Sequence, residues 1–303
     1  MSADTGGDTF DPAGRQADKR AGREADLDLL AGNILSPAQL HARNGILMAH
    51  GGALARLLSH LHREDRVALV GGQSVGVWAA ALDPDCTRLA KHQPFTTSDI
   101  DYFGDLRAAR RFAEAVGGRL FKPSSDTMNS NSTALVRAPL GPETITVDFL
   151  HAIIGVERRE ILAGIEEVFV GDGHGGEFTV PVISPMLVLR SRIANMLSAA
   201  TMRRDEISFN QAWAAVRIVE LWAERLIGIG NVREAMKVIM GCVSHATVDH
   251  YGRRAFHHLG IDQLDAVRSF LDDDRLDDRW RTRTLARRIG ECETRRHRDA
   301  SRR

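Results

Sequence analysis

Hydrophobic and polar positions change period several times along the chain. Behind a Ser-Pro start at Ser36, SPAQLHARNGILMAHGGALARLLSHLH carries apolar residues at helical spacing and predicts a helix. RVALVGG follows as a short apolar run closed by two glycines, the signature of a buried strand. QSVGVWAAAL predicts a helix, DPDCTRLAKHQPF a loop, SDIDYFG a strand, and DLRAARRFAEAVGG an amphipathic helix closed by glycines. RLFKPSSDTMNSNSTALVRAPLGPETITVDFLH holds two or three strands separated by turn residues. In its last part Ile145, Val147 and Phe149 alternate onto one face, while Thr144, Thr146 and Asp148 take the other. The period changes again at Ser184-Pro185. From there ISPMLVLRSRIANMLSAA, EISFNQAWAAVRIVELWAERL and NVREAMKVIMGCVSHA are helix-periodic, and TVPVI just before is the last strand-like run. The expected fold is therefore α/β (α+β): a mixed-sheet N-terminal domain with a βαβ-like arrangement, followed by an all-helical C-terminal domain. The expected divisions are a disordered 1–24, an α/β domain over 25–183, a helical domain over 184–290 and a basic tail over 291–303. No internal repeat at a fixed period is visible.

Composition adds modest limits. The 303 residues are 43% hydrophobic and 26% charged, ordinary for a soluble globular protein. No apolar run approaches the length of a membrane span, and the polar start lacks the apolar core of a secretory signal. The three cysteines, Cys86, Cys242 and Cys292, are scattered and odd in number, so no disulfide framework is expected and a reducing cytoplasm is the default. A net charge of zero hides an asymmetry: nine arginines from Arg281 onward face only Glu291, Glu293 and Asp299. Such a tail either grips a nucleic-acid backbone or is a solvated end.

Three stretches carry candidate chemistry. Gly71-Gly72-Gln73-Ser74 lies between a strand and a helix, where glycines allow close backbone approach and the helix start offers free N–H groups and a hydroxyl to an anion. It matches neither the dinucleotide nor the P-loop fingerprint. In FTTSDIDYFG, Asp99 and Asp101 stand two apart and project together from an extended strand. Two carboxylates so placed repel each other unless a cation sits between them, and Mg²⁺ accepts one or two carboxylates with phosphate oxygens. Asp148 is the polar-face residue of a later strand.

The order Gly-Gly-x-Ser, D-x-D, then a single aspartate on a later strand resembles the nucleotidyltransferase superfamily with the DNA polymerase β-like fold. The resemblance covers roughly residues 66–150. It implies an NTP (ATP among the candidates) with its phosphates over Gly71, Gly72 and Ser74, and two Mg²⁺ ions held by Asp99, Asp101 and Asp148. Asp148 would also activate an acceptor hydroxyl. VALVGGQSVGVW, TSDIDYF and TVDFL look like the bacterial nucleotidyltransferases of type IV toxin–antitoxin and abortive-infection systems. Those carry a helical C-terminal half opened by a Ser-Pro segment with a lysine, where this chain has Arg190 or Arg192. Arginine holds phosphate but cannot serve as a base. Arg203 and Arg204 are further candidates for neutralising a triphosphate, and Asp205 matches the family's acidic position loosely; surface ion pairs explain each equally well. The resemblance implies an RNA, tRNA or protein acceptor and an antitoxin partner, with no membrane. It leaves open aminoglycoside adenylylation on the same fold and a non-catalytic binding module. This chain departs from the compact form of the motif in the longer polar loop between Ser74 and Asp99, where Lys91 and His92 either touch substrate or are simply exposed.

Other residues carry less. Cys242-x-x-His245 with His250, His257 and His258 nearby lacks a second zinc-ligand pair at a usual spacing. Ser191 or Ser198 lacks the hydrolase elbow. Trp78, Trp213, Trp222 and Trp280 are dispersed in mostly amphipathic segments and read as packing residues.

Overall fold

The structure is a computed structural model that describes residues 9–10, 57–95, 100–123, 131–140, 143–171 and 177–301. Asp99, nearly all of the helix expected from Ser36, and most of the first 24 residues lie outside these. The strands are β1 (Thr9–Phe10), β2 (Ala68–Val70), β3 (Ile100–Phe103), β4 (Arg119–Pro123), β5 (Ser132–Leu140), β6 (Glu143–Leu150), β7 (Ile165–Gly171) and β8 (Glu177–Ile183). They lie in the order β1-β4-β5-β6-β3-β2-β8-β7. The sheet is mixed: β3 runs parallel to β6 and β2 parallel to β8, whereas β2–β3, β4–β5 and β5–β6 are antiparallel. The helices are α1 (Gly71–Leu82), α2 (Leu106–Val116), α3 (Arg158–Ala163), α4 (Pro185–Leu197), α5 (Glu206–Gly228), α6 (Val232–Val248), α7 (His250–Leu259) and α8 (Ala286–Ser301). The protein is thus α/β, and among the described residues no strand follows Ile183.

Contacts divide the chain into two compact units. One comprises Met1–Gly76, Thr96–Ile153 and Glu157–Val182; the other comprises Val77–Phe95, Ile154–Val156 and Ile183–Arg303.

In the first unit the core grows from β3, β6 and α2. Asp105 caps α2 by accepting the Ala108 N–H at 2.9 Å, and Gly117, at φ 64°, ends it in the left-handed region. Ala108, Ala109, Phe112 and Ala113 form its buried stripe. Phe112 lies 6.3 Å from the Tyr102 ring of β3 and 5.8 Å from Phe149 of β6, and those two rings stack at 5.7 Å. Each such buried aromatic is worth about 2–3 kcal/mol from burial, before ring-on-ring geometry is added. These contacts fix β3 against β6.

In the second unit α4 is buried on most of its sides, as its apolar sequence requires. Asp205 caps α5, accepting the Ser208 N–H at 2.8 Å. Trp78 donates its indole N–H to the Ile183 carbonyl at 2.9 Å, and its ring lies 5.0 Å from Trp222. Arg88 grips the Glu224 carboxylate with both guanidinium nitrogens and reaches Glu220 at 3.7 Å. α6 and α7 meet at Asp249, whose carboxylate accepts the Tyr251 and Gly252 N–H groups at 2.9 and 2.8 Å and lies 3.2 Å from His245 Nε2.

Burial works to raise the Asp249 pKa, but the His245 bond and the two amides outweigh it and hold the carboxyl well below its usual 3.8. A depressed carboxyl contributes stability above its unfolded pKa and loses it as pH falls toward the folded one. The melting-temperature gap between wild type and Asp249→Asn is therefore expected to be full at pH 6 and to close below about pH 4 in thermal scans; a gap unchanged down to pH 2 would contradict this account.

The stretch read as a basic tail is helix as far as Ser301. A π-helical segment, Trp280–Leu285, leads into α8, whose Ile289, Cys292 and Arg296 are buried. Arg296 pairs with Asp262 at 2.8 Å and lies 4.3 Å over the Phe256 ring. No helix among the described residues is long and apolar enough to cross a membrane.

Candidate active site

The site is assembled where β2 hands over to α1. Gly71 follows β2 directly and takes φ +70°, a conformation that L side chains rarely adopt. Across the antiparallel β2–β3 pair, Val70 is the register partner of Asp101. A Cβ on Gly71 would lie 2.6 Å from Asp101 Oδ2, so only a bare glycine lets the turn press against that carboxylate. The first amides of α1, those of Gly71 to Ser74, have no partner four residues back within the helix. The start of α1 therefore lends a partial positive charge to the neighbourhood of Asp101.

Asp101 and Asp148 are direct register partners on the parallel strands β3 and β6. Parallel partners share a sheet face and stand about 4.7–4.9 Å apart, so both carboxylates rise side by side from one face. Asp101 is half-buried, whereas Asp148 is only 2% exposed. Like charges held this close and this dry are costly unless a cation or proton intervenes.

Ser132, buried at the start of β5, donates its hydroxyl to Asp148 Oδ1 at 2.6 Å. Its reach depends on an irregularity between Ser132 and Ala134 in the β5–β6 register. Nothing in the sequence pattern distinguishes this serine from the turn residues around it. Replacing Ser132 by Ala is expected to lower any activity that depends on Asp148 about 10–100-fold, as for groups that orient a ligand-holding side chain. Ser132→Thr should restore most of it; equal rates for wild type and Ser132→Ala would show that the bond does not position Asp148.

Ser74, the hydroxyl expected at a phosphate, stands in the first turn of α1. It is fully buried and donates to the Gly71 carbonyl at 2.8 Å, which pins the turn.

The arginines belong to the second unit. Arg190 donates to the Gly155 carbonyl at 3.1 Å, and Arg192 to Gln211 Oε1 at 3.2 Å. Arg204 donates to the Met196 carbonyl at 3.2 Å, and Asp205 is the α5 cap. In the polar loop, Ala90–His92 forms a short 3-10 turn, and His92 stacks on Trp213 at 6.2 Å. Burial first, then Lys91 and Arg217, push the His92 pKa down to about 4. Cys242 donates its thiol to the Gln263 carbonyl at 3.3 Å, and burial pushes that thiol up to about 12. His245 is bonded to Gln263 and Asp249.

Among the described residues no three His, Cys, Asp or Glu side chains gather as a metal site. The donor set in view is the Asp101–Asp148 pair. Its chemistry fits a hard divalent cation: two oxygen-donor carboxylates whose mutual repulsion a cation would relieve. No protein-family model matches the chain, and no curated protein is similar to it.

Proposed function

We propose that this protein is a Mg²⁺-dependent nucleotidyltransferase that moves an NMP from an NTP to an acceptor hydroxyl. The observation carrying this reading is the register pairing of Asp101 with Asp148, with the Gly71 turn pressed against Asp101. Asp101 and Asp148, with Asp99 two residues earlier in sequence, would hold Mg²⁺. When bound, Mg²⁺ supplies charge neutralisation for the phosphates and the leaving group.

The chain's own residues then have distinct roles. The start of α1 binds phosphate oxygens through backbone N–H groups. Asp148, its carboxylate plane fixed by Ser132, accepts the proton of the acceptor hydroxyl. That oxygen forms a bond to the α-phosphorus; the bond from the α-phosphorus to the α–β bridging oxygen breaks, and pyrophosphate leaves with the electron pair.

Incubating the full chain with each α-labelled NTP, Mg²⁺ and total lysate tests this. Label is expected to appear covalently on an RNA, a protein or a small molecule, and to be absent with γ-labelled NTP. No labelled product with any of the four NTPs would overturn the reading.

A further inference from the structure

The helical end of the chain presents an arginine row with a cavity of its own. Between Arg279 and Ser301 the chain carries eight arginines against Glu291, Glu293 and Asp299, a surplus of five positive charges (8 − 3). Much of that charge is engaged within the fold. Arg281 donates to the Leu271 carbonyl at 3.1 Å and to Asp278, Arg288 pairs with Glu291, and Arg296 with Asp262.

Arg279 and Arg283 are exposed and make no ion pair or hydrogen bond among the described residues. With Arg287, which shares Glu291 with Arg288, they line an open cavity of about 390 Å³ together with Trp280, Thr284 and Asp277. Asp277 accepts the Trp280 backbone N–H at 2.7 Å and keeps its negative charge, the one carboxylate in the lining against three guanidinium groups. Of the other aspartates just before the row, Asp273 is held by Arg275 and Asp278 by Arg281, while Asp272 and Asp274 lie outside the cavity lining.

The spacing has a geometric consequence. Residues 279, 283 and 287 are four apart. On a regular α-helix each step of four overshoots a full turn by about 40°, so three such residues would fan around the axis. Here Trp280–Leu285 is π-helical, and its wider turns offset that drift and keep the three guanidinium groups on one side. The α-helical rise would set neighbouring arginines about 6 Å apart along the axis; the π-helical turns bring them somewhat closer, and the long guanidinium side chains span the remaining distance to successive phosphates of a strand. Trp280, half-buried within the row, adds a ring on which a base can stack.

We propose that Arg279, Trp280, Arg283 and Arg287 form a binding site for single-stranded nucleic acid, with the arginines on consecutive phosphates and Trp280 against a base. The binding stands independently of the transferase reading above. A strand would be held chiefly by charge and stacking, with little sequence preference.

The test uses the full chain in EDTA without NTP and follows anisotropy of a labelled mixed-sequence 12-nucleotide RNA and its DNA counterpart. Binding is expected to weaken with salt with a log–log slope of about −2, the value for three phosphate contacts on a single strand. Arg279→Glu/Arg283→Glu should weaken it at least about 10-fold and flatten the slope by about 1.4, the share of two of the three contacts. Trp280→Ala should cost about 10-fold at all salt concentrations. Far-UV circular dichroism checks that each variant is folded, and the exposed arginine pair keeps the test valid should Trp280→Ala not fold. Asp101→Asn should bind as wild type does. RNA bound more tightly than DNA assigns the site to RNA, and equal binding assigns it to strands of either sugar; both support the proposal.

Absence of binding at 50 mM salt, an affinity unchanged by the double charge reversal, or adsorption to phosphatidylserine vesicles in place of RNA would overturn it. Failure here with label still transferred to a protein would leave the transferase reading standing. Tight strand binding with no transfer from any NTP would do the reverse.

Discussion

Asp101→Asn and Asp148→Asn should each abolish transfer from an α-labelled NTP, by about 10³-fold or more, while the melting temperature holds or rises. The two halves of this expectation come from the same geometry. The carboxylates are register partners on one sheet face, and Asp148 is almost fully buried. Neutralising one member removes a like-charge repulsion from the folded protein, a contribution that favours stability. Asparagine can still accept the Ser132 hydroxyl, so the β5–β6 contact survives. Chemistry that needs two negative charges on hard oxygens does not survive. The loss should exceed that of Ser132→Ala, because Ser132 only orients a ligand-holding group. Paired measurements of label transfer and thermal unfolding decide the matter. Retained transfer in either variant would remove the pair from the active site, and a melting temperature lowered by several degrees would mark it as a structural pair.

Gly252→Ala should destabilise the second unit strongly. A Cβ there would lie 2.1 Å from the His245 carbonyl oxygen and 2.7 Å from its carbon, both backbone atoms that cannot rotate away. The clash falls where Asp249 ends α6 and caps α7, so relieving it means separating the two helices or breaking the cap. About 3 kcal/mol or more of destabilisation is expected, at the upper end for overpacking. Denaturant unfolding checks it, with Gly241→Ala as the control, because no atom lies within 4 Å of a Cβ at that position of α6. Equal midpoints for the two variants would refute the close packing.

Much of the architecture was legible from local pattern. The run RVALVGG, the alternation through ETITVDFLH and the stripe of DLRAARRFAEAVGG each declared an element, because burial on one face imposes a period of its own. β7 was not legible. In its sequence IEEVFVG two glutamates follow each other and Phe169 is 68% exposed, so the alternation is broken. As the last strand in the sheet order it has a neighbour on one side only, and the demand for patterning is weaker there. The arginines after residue 281 were legible as charge but not as structure. Ile289, Cys292 and Arg296 do recur at helical spacing, but burial of an arginine depends on finding Asp262 and Phe256, which lie 34 and 40 residues away in the chain (296 − 262 and 296 − 256).

The candidate site divides in the same way. Pattern alone placed Gly71 between a strand and a helix, Asp101 on a strand, and Asp148 on the polar face of another, because these depend on neighbours within a few residues. That Asp101 pairs with Asp148, that Gly71 must lack a side chain to admit Asp101 Oδ2, and that Ser132 bonds Asp148 across 16 residues were decided by tertiary structure. Register between distant strands is set by the whole sheet and its core, and a slip of one residue would turn Asp148 to the opposite face. Local sequence therefore determines which side chains a strand offers, and only the packed sheet determines which of them meet.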